Sequence, residues 1–306
     1  MRIHLVESTN PPSDYRAEIE EYWVSPQEWR RSIDSPSFKQ VVVVDGTKVS
    51  EKDTGDYFPL WLQNFVTAIF NPVPNAEFWN RLDARITQIV LPNGQHSDAC
   101  VREKSKVGSD LVKNDAFSNL CFDGDGMIDF FGSPGYSMEF HDYKSFGKKR
   151  IARRYQDDPE PGTEIVARVV LLENLTKPDT SLFAVAESTS VEQRIRSIPV
   201  TQDLIEQAAL NEPEIMWPPV HSGNTTGLLT MYISIDRAGR VREAYPLNSD
   251  NAGLQDAARD QLLKWHLKPA IAEGVPVQIE GAVSFRFSTT LADAQSPPPV
   301  STSPNQ

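Results

Sequence analysis

The sequence has few of the residues from which most catalytic and metal sites are built. Only two cysteines and five histidines occur among its 306 residues, and no histidine is spaced as a metal ligand from another histidine or a cysteine. It contains neither a G-x-S-x-G nucleophile motif nor a glycine-rich phosphate loop. These absences argue against hydrolase, phosphoryl-transfer and metal chemistry. We therefore expect no enzyme, no catalytic residue, no metal site and no cofactor.

Positive charge and long apolar runs are also scarce. The chain has 30 Lys and Arg against 42 Asp and Glu, a formal net charge of −12 at pH 7, and it shows no basic face for nucleic acid. It has no window of about twenty apolar residues that could form a transmembrane helix. The N-terminal stretch MRIHLVESTNPPSDY lacks the apolar run of a signal peptide. Two alternatives follow: a cytoplasmic protein, or a chain that begins after a removed targeting segment.

The two cysteines, Cys100 and Cys121, could be linked or free. In an oxidising compartment, a disulfide that closes a loop of about twenty residues would add about 3 kcal/mol by restricting the unfolded chain. In a reducing compartment, the same residues would be two buried thiols. The sequence leaves both alternatives open.

Residues 1–185 have the pattern of an antiparallel sheet with one helix. Residues 15–24 alternate between apolar and polar side chains, and Asp45-Gly46 separates two strand-like runs as a two-residue hairpin turn. Residues 57–70, YFPLWLQNFVTAIF, change to a helical period with one wide apolar stripe. Because such a stripe cannot face water, we predict an α+β protein whose first domain is an antiparallel sheet with this helix packed on it.

Residues 213–291 indicate a second, smaller domain. Residues 227–236 alternate as a strand, a turn at residues 237–240 follows, and residues 241–247 return as a second strand. One apolar helical face is then traced by Leu254, Ala257, Ala258, Leu262 and Trp265. Pro269 ends the helix, and residues 275–288 form a last, long strand. The pattern predicts a ββαβ domain.

Two segments remain outside these domains. Residues 186–212 have the composition of a connector. Residues 292–306, ADAQSPPPVSTSPNQ, are rich in Pro and Ser and are predicted to be a disordered tail.

The C-terminal pattern resembles the TonB C-terminal domain family over roughly residues 216–291. The ordered features are Asp236, Gly239-Arg240-Val241, Leu254 with Ala257-Ala258, Trp265 with Pro269-Ala270, Gly274, Pro276-Val277, and Phe285 with Phe287. The resemblance implies a periplasmic, cell-envelope protein with a link to transmembrane transport. It also implies a protein partner, whose extended segment adds a strand to the edge of the sheet.

The partner-binding edge is expected on the last strand, at Val283, Ser284, Arg286 and Ser288. Its backbone groups, rather than particular side chains, would provide the affinity. The family's inner-membrane anchor and long Pro-rich spacer are missing from this chain. We therefore expect a docking unit rather than an energy transducer.

Residues 15–185 are more distantly similar to the lipoprotein-sorting half-barrels of the LolA/LolB type. The similarity lies in the EYWVSPQEWRR opening, the successive antiparallel strands and the apolar helix. It implies a β half-barrel with an apolar cavity for acyl chains, lined by Trp61, Phe65 and Ile69. The alternative hypothesis is therefore a periplasmic lipid or lipoprotein carrier.

Overall fold

The computed structural model describes residues 1–7, 15–73, 82–87, 99–103, 119–133, 136–160, 163–176, 179–185, 194–211 and 215–292. In these ranges β-strands dominate and helices are few, so the predicted α+β class is confirmed at this coarse level. The strands form one large and one smaller sheet, and each sheet contributes to its own hydrophobic core. Nearly all of the predicted disordered tail lies outside the described residues.

The large sheet has twelve strands and is antiparallel throughout. In chain order, with the separate hairpin of β11 and β12, the strands are β1 (Arg2–Glu7), β2 (Arg16–Ser25), β3 (Glu28–Asp34), β4 (Lys39–Asp45), β5 (Lys48–Thr54), β6 (Leu82–Thr87), β7 (Ala99–Glu103), β8 (Asn119–Phe122), β9 (Ile128–Ser133), β10 (Tyr136–His141), β11 (Lys144–Phe146), β12 (Lys149–Ile151), β13 (Arg154–Glu160) and β14 (Thr163–Leu171). Their order in the sheet is β5-β4-β3-β2-β1-β14-β13-β10-β9-β8-β7-β6.

One helix, α1 (Leu60–Phe70), packs on this sheet against β10 and β13. The apolar stripe predicted from the sequence is its buried face, where Leu62 and Phe65 join Ile19 and Ile33 in the core. The helix ends at Phe70, and its C-cap residue Asn71 is not helical because a residue that precedes proline, here Pro72, is sterically disfavoured in the helical conformation. A short 3₁₀ turn, Thr180–Phe183, buries Phe183 near β3 and β4.

The smaller sheet contains the C-terminal strands and part of the segment before them. The elements of this part of the chain are β15 (Ser197–Pro199), α2 (Gln202–Ala208), β16 (Ala209–Asn211), β17 (Thr226–Ile235), β18 (Val241–Ser249), α3 (Gln255–Leu262), β19 (His266–Leu267), β20 (Ala270–Ala272) and β21 (Val275–Ser288). The sheet order is β15-β21-β17-β18, with β20 also paired to β21, while β16 and β19 form a separate two-stranded ladder.

The helix α3 covers one face of the smaller sheet, as the apolar spacing predicts. A 3₁₀ turn leads into it, capped by the side chain of Asn251, which accepts from Gly253 N at 3.0 Å. Leu254, Leu262 and Trp265 are almost completely buried in the core beneath. Burial of large apolar side chains at this spacing stabilises a helix too short to persist alone.

The turn between β17 and β18 requires glycine for two reasons. Gly239 has φ +84°, a left-handed conformation that favours glycine. A Cβ atom at this position would also lie 2.0 Å from the carbonyl oxygen of Leu267. The backbone of Gly239 instead accepts a hydrogen bond from Leu267 N at 2.7 Å. The turn is thereby held against the segment that follows α3.

Candidate functional site

The last strand, β21, lies in the interior of the smaller sheet for part of its length and near an edge for the rest. On one side it pairs with β17 in an unbroken antiparallel register from Thr226↔Ser288 to Ile235↔Ile279. We call the opposite side the outer edge of β21. Strand addition by a partner requires unpaired N–H and C=O groups on this outer edge.

The first half of the outer edge is already paired. The strand β20 pairs with residues 275–277, and β15 pairs in parallel with residues 278–280. Two backbone hydrogen bonds fix β15, from Gln278 N to Arg196 O at 2.9 Å and from Val200 N to Glu280 O at 2.8 Å. A partner strand therefore has no access to the edge before Gly281.

After β15 the chain turns away from β21 and forms α2, which packs closely against β21 at Gly281. The side chain of Ile205 on α2 is fully buried in the core of the smaller sheet. A Cβ atom at Gly281 would lie 2.5 Å from Val200 O and 3.0 Å from Ile205 Cδ1. Only glycine allows the approach of both groups, so this position fixes the path of the segment before the C-terminal domain.

At Ser284 the outer edge is occupied by a side chain rather than a strand. Ser284 N donates to Gln202 Oε1 at 3.0 Å, and Gln202 Nε2 donates to Ser284 O at 3.3 Å. The hydroxyl of Ser284 points elsewhere, since its oxygen lies 2.9 Å from Thr230 Oγ1 on β17. The backbone of Ser284 is therefore the part that faces outward.

Between Ser284 and Thr290 the outer edge is open in the described part of the chain. At Thr290 and Ala292 the segment at Val220 pairs with it again, with hydrogen bonds from Val220 N to Thr290 O at 2.9 Å and from Ala292 N to Val220 O at 2.8 Å. N–H and C=O groups alternate between the two sides of a strand, so those of Arg286 and Ser288 point the same way as those of Ser284. Both residues are exposed, and we find no backbone partner for them on this side among the described residues. The backbone of Val283 faces β17 instead, and its side chain is buried in the core.

Aromatic side chains flank the open part of this edge. The ring of Phe285 contacts Trp265 at a centroid distance of 5.8 Å, and that of Phe287 contacts Trp217 at the same distance. Phe287 is buried, whereas Phe285 and Trp217 are half-buried. An added strand would place its side chains beside the partly exposed rings of Phe285 and Trp217.

The turn between β17 and β18 contains the buried carboxylate of Asp236, which pairs with the partly exposed Arg240 and Arg242. Asp236 Oδ1 accepts from Ala238 N and Arg240 N at 2.9 and 3.0 Å, and its Oδ2 accepts from Arg240 Nε at 2.8 Å. Burial would raise the pKa of Asp236, but the hydrogen bonds from Arg240 and Arg242 outweigh it and lower the pKa. Asp236 therefore stays ionised and orders the turn.

The other face of the smaller sheet holds the start of α1. The carboxylate of Glu243 on β18 accepts from Tyr57 OH at 2.6 Å and from Leu60 N at 2.7 Å. Gln278 on β21 accepts from Phe58 N at 3.1 Å and donates to Phe58 O at 2.9 Å. Burial raises the pKa of Glu243, and it raises the pKa of Tyr57 well above its usual value. These contacts join the two sheets.

The three residues predicted to line an acyl cavity are packed in the core of the large sheet. Trp61 is 4% exposed, Phe65 0% and Ile69 9%, and all three belong to the main cluster of buried side chains. Trp61 makes edge-on contacts with Tyr15 and Phe65. These side chains fill the space under α1.

The two cysteines form a disulfide between β7 and β8, so the disulfide alternative is the one that the structure adopts. Cys100 and Cys121 are directly opposite each other in the register of these strands, with Cα atoms 4.0 Å apart. Both are buried beside Phe130. The link joins neighbouring strands near one end of the large sheet.

Sequence patterns did not reveal the residues that cover or join these surfaces. Gln202, Glu243 and Gln278 act through contacts with distant parts of the chain, and no local motif distinguishes them from other polar residues. The described residues include no helix long and apolar enough to cross a membrane. The same residues contain no group of side chains that could hold a metal ion.

Comparison with known families gives one match, which lies in the smaller sheet. Residues 222–289 match the family described as Gram-negative bacterial TonB protein C-terminal. Comparisons of the chain with curated proteins and with solved structures found no match. The matched range contains β17, β18, α3 and β21, and it corresponds to the resemblance seen in the sequence. Residues 222–289 are therefore similar to a family of non-enzymatic, protein-binding domains of the cell envelope.

Proposed function

We propose that this protein docks an extended segment of a partner protein, which adds a strand at the outer edge of β21 between Ser284 and Ser288. The observation that carries the proposal is the open, outward-facing backbone at Arg286 and Ser288 within a domain of a protein-binding family. The ββαβ arrangement of β17, β18, α3 and β21 serves as the docking unit. No catalytic residue is part of this function.

The compartment that we propose is the periplasm. The family match supports a cell-envelope location, and the disulfide between Cys100 and Cys121 suits an oxidising compartment. We extend the proposal to a role in transport across the envelope, in which the docked segment belongs to a transport protein. The net charge of −12 argues against nucleic acid as the partner.

The carrier hypothesis has less support. A half-barrel around α1 remains our proposal for the finer architecture of the large sheet, since α1 packs against both β10 and β13. An acyl chain would need the volume now filled by Trp61, Phe65 and Ile69. A protein-docking role needs no such rearrangement of the core, so we favour it.

Proline at Arg286 tests the docking edge. Arg286→Pro removes one outward N–H donor, and proline is tolerated on sheet edges. We expect the affinity for a fluorescein-labelled octapeptide of alternating Thr and Val, a generic strand-forming probe, to fall about tenfold or more, because one hydrogen bond is lost and the ring obstructs the approach of the strand. Fluorescence anisotropy measures the dissociation constant, and circular dichroism checks that the variant is folded.

The matched control is Arg286→Ala, which removes the side chain but retains the backbone donor. This variant should bind the probe with nearly wild-type affinity. Equal weakening by alanine and proline would show that the side chain, rather than the backbone edge, carries the contact. Unchanged binding by the folded proline variant would place the docking site elsewhere.

A further inference from the structure

The Gln202 carboxamide makes the same two hydrogen bonds with Ser284 that a partner strand would make. A carboxamide offers one acceptor and one donor, as does a peptide group in a β-ladder. Its Oε1 accepts from Ser284 N at 3.0 Å, and its Nε2 donates to Ser284 O at 3.3 Å. A partner strand that extends to Ser284 must compete for these two groups. We call this pair of bonds the masking contact.

We propose that Gln202 masks the docking edge of β21 and must leave Ser284 before a partner strand can pair along the full edge from Ser284 to Ser288. This inference rests on the proposed docking at the same edge. With the masking contact in place, the outward backbone groups of Arg286 and Ser288 remain for pairing. Because main-chain hydrogen bonds supply the affinity in this binding mode, a shortened edge binds more weakly.

The position of Gln202 is fixed by its surroundings rather than by Ser284 alone. Gln202 is the first residue of α2, and its Nε2 lies 2.6 Å from Glu206 Oε1, one helical turn away. Ile205 on the same helix is buried in the core, and Gly281 allows Val200 to lie against β21. The helix is therefore anchored, and the half-buried Gln202 side chain is its part at the edge.

A masked edge has a physical advantage before the partner arrives. Unpaired N–H and C=O groups on a sheet edge allow pairing with another chain, which leads to aggregation. The strand β15 satisfies the outer edge from Gln278 to Glu280, and the masking contact satisfies it at Ser284. A side chain can be displaced at the cost of two hydrogen bonds, whereas displacement of β15 would break a strand pairing. The masking contact is thus the replaceable part.

Residue-resolved hydrogen exchange tests the masking contact directly. Gln202→Ala should accelerate exchange of the Ser284 amide about tenfold, because its hydrogen-bond acceptor is lost. Gln207→Ala, an exposed position on the same helix, is the matched control and should leave exchange at Ser284 unchanged. Equally slow exchange at Ser284 in wild type and Gln202→Ala would overturn the proposal.

Binding of the same fluorescein-labelled Thr-Val octapeptide tests the consequence. We expect Gln202→Ala to bind the probe about tenfold more tightly than wild type, and Gln207→Ala to match wild type. A second variant, Gln202→Glu, loses the donor to Ser284 O and places a carboxylate oxygen where Nε2 lies 2.6 Å from Glu206 Oε1. Because the two carboxylates repel each other, the masking contact should be released. Exchange at Ser284 should accelerate and the probe should bind more tightly than to wild type, which provides a test if the alanine variant folds poorly.

The outcomes separate the two proposals. Suppose that the probe binds wild type and Gln202→Ala equally, and that adding Arg286→Pro to either protein abolishes binding. Docking at the edge is then supported and masking is wrong. If the probe binds neither protein, the docking proposal is wrong and the masking proposal falls with it. If Gln202→Ala binds the probe more tightly than wild type, and if adding Arg286→Pro removes this binding, both the docking and the masking proposals are supported.

Discussion

Asp157 on β13 is a carboxylic acid held almost entirely out of water, with 3% of the residue exposed. Its Oδ1 accepts a hydrogen bond from Ser137 Oγ at 2.8 Å. Burial raises the pKa of Asp157 to about 7, and the neighbouring Asp158 adds to the effect, while the bond from Ser137 opposes it. The protonated acid is therefore the form that the folded protein favours at mildly acidic pH.

The raised pKa of Asp157 predicts a loss of stability as the pH rises. In the unfolded chain an aspartate ionises near its usual pKa of 3.8, whereas in the folded protein Asp157 ionises near 7. Between these values the folded state binds more protons, so the contribution to stability is complete below pH 4 and is lost as the pH rises through 7. Between pH 5 and 8.5 we expect the free energy of unfolding of wild type to fall by roughly 2–4 kcal/mol more than that of Asp157→Asn.

Urea titrations at several pH values measure this difference. Asp45→Asn is a suitable control, because Asp45 is exposed and Asn-Gly is as favourable a hairpin turn as Asp-Gly. The control should retain the full pH dependence of wild type. Parallel curves for wild type and Asp157→Asn would contradict the assignment of the protonated form to buried Asp157.

At the scale of single elements, the sequence predicted the faces of the helices better than their first residues. The apolar spacing of residues 57–70 gave the buried face of α1 correctly, but the helix begins at Leu60. Pro59 disfavours a helical conformation at Phe58, and Gln278 and Glu243 hold the backbone and side chains of this stretch from the other sheet. The first part of that explanation is local, whereas the second depends on contacts across the fold.

The outer edge of β21 shows the same difference between local sequence effects and contacts across the fold. The pattern of residues 275–288 predicted the last strand and placed Ser284, Arg286 and Ser288 on one side of it, because alternation is a local property. The pairing of β15 and the contact of Gln202 were not predicted, because residues 186–212 have no periodicity that specifies where they pack. Local pattern thus gave the strand, and tertiary contacts decide how much of it is open.

The disulfide between β7 and β8 predicts redox-dependent stability. Its sequence separation is 21 residues, and closure of such a loop restricts the unfolded chain by about 3 kcal/mol. We expect reduction by dithiothreitol to lower the free energy of unfolding by roughly 2–4 kcal/mol, as measured by urea denaturation. In the double variant Cys100→Ser/Cys121→Ser, dithiothreitol should have no effect. If dithiothreitol destabilised this variant as much as wild type, the loss of stability could not be caused by reduction of the disulfide.

At the scale of the whole molecule, polar contacts between the two sheets explain how they are connected. Gln278 is fully buried and binds both backbone groups of Phe58. Arg240 Nη2 lies 2.8 Å from Asp56 Oδ2, and Arg242 Nη1 lies 3.3 Å from the same oxygen. The two ion pairs are exposed, whereas the bonds of Gln278 are buried. The buried bonds fix the orientation of the sheets, because a rotation of one sheet would leave the polar groups of Gln278 and Phe58 unpaired. If a partner docks at β21 as proposed, we expect it to be coupled to the large sheet through the same strand.

The double variant Gln278→Ala/Glu243→Gln tests this coupling. Alanine leaves Phe58 N and O without their partner, and glutamine replaces the carboxylate that accepts from Tyr57 and Leu60; together we expect a loss of roughly 2–4 kcal/mol. Calorimetry should show one unfolding transition for wild type and two for the variant, because the sheets then lose their shared contacts. Gln207→Ala, at an exposed site, should retain a single transition. A single, unshifted transition in the double variant would mean that these contacts do not join the sheets energetically, and that docking at β21 is not transmitted to the large sheet through them.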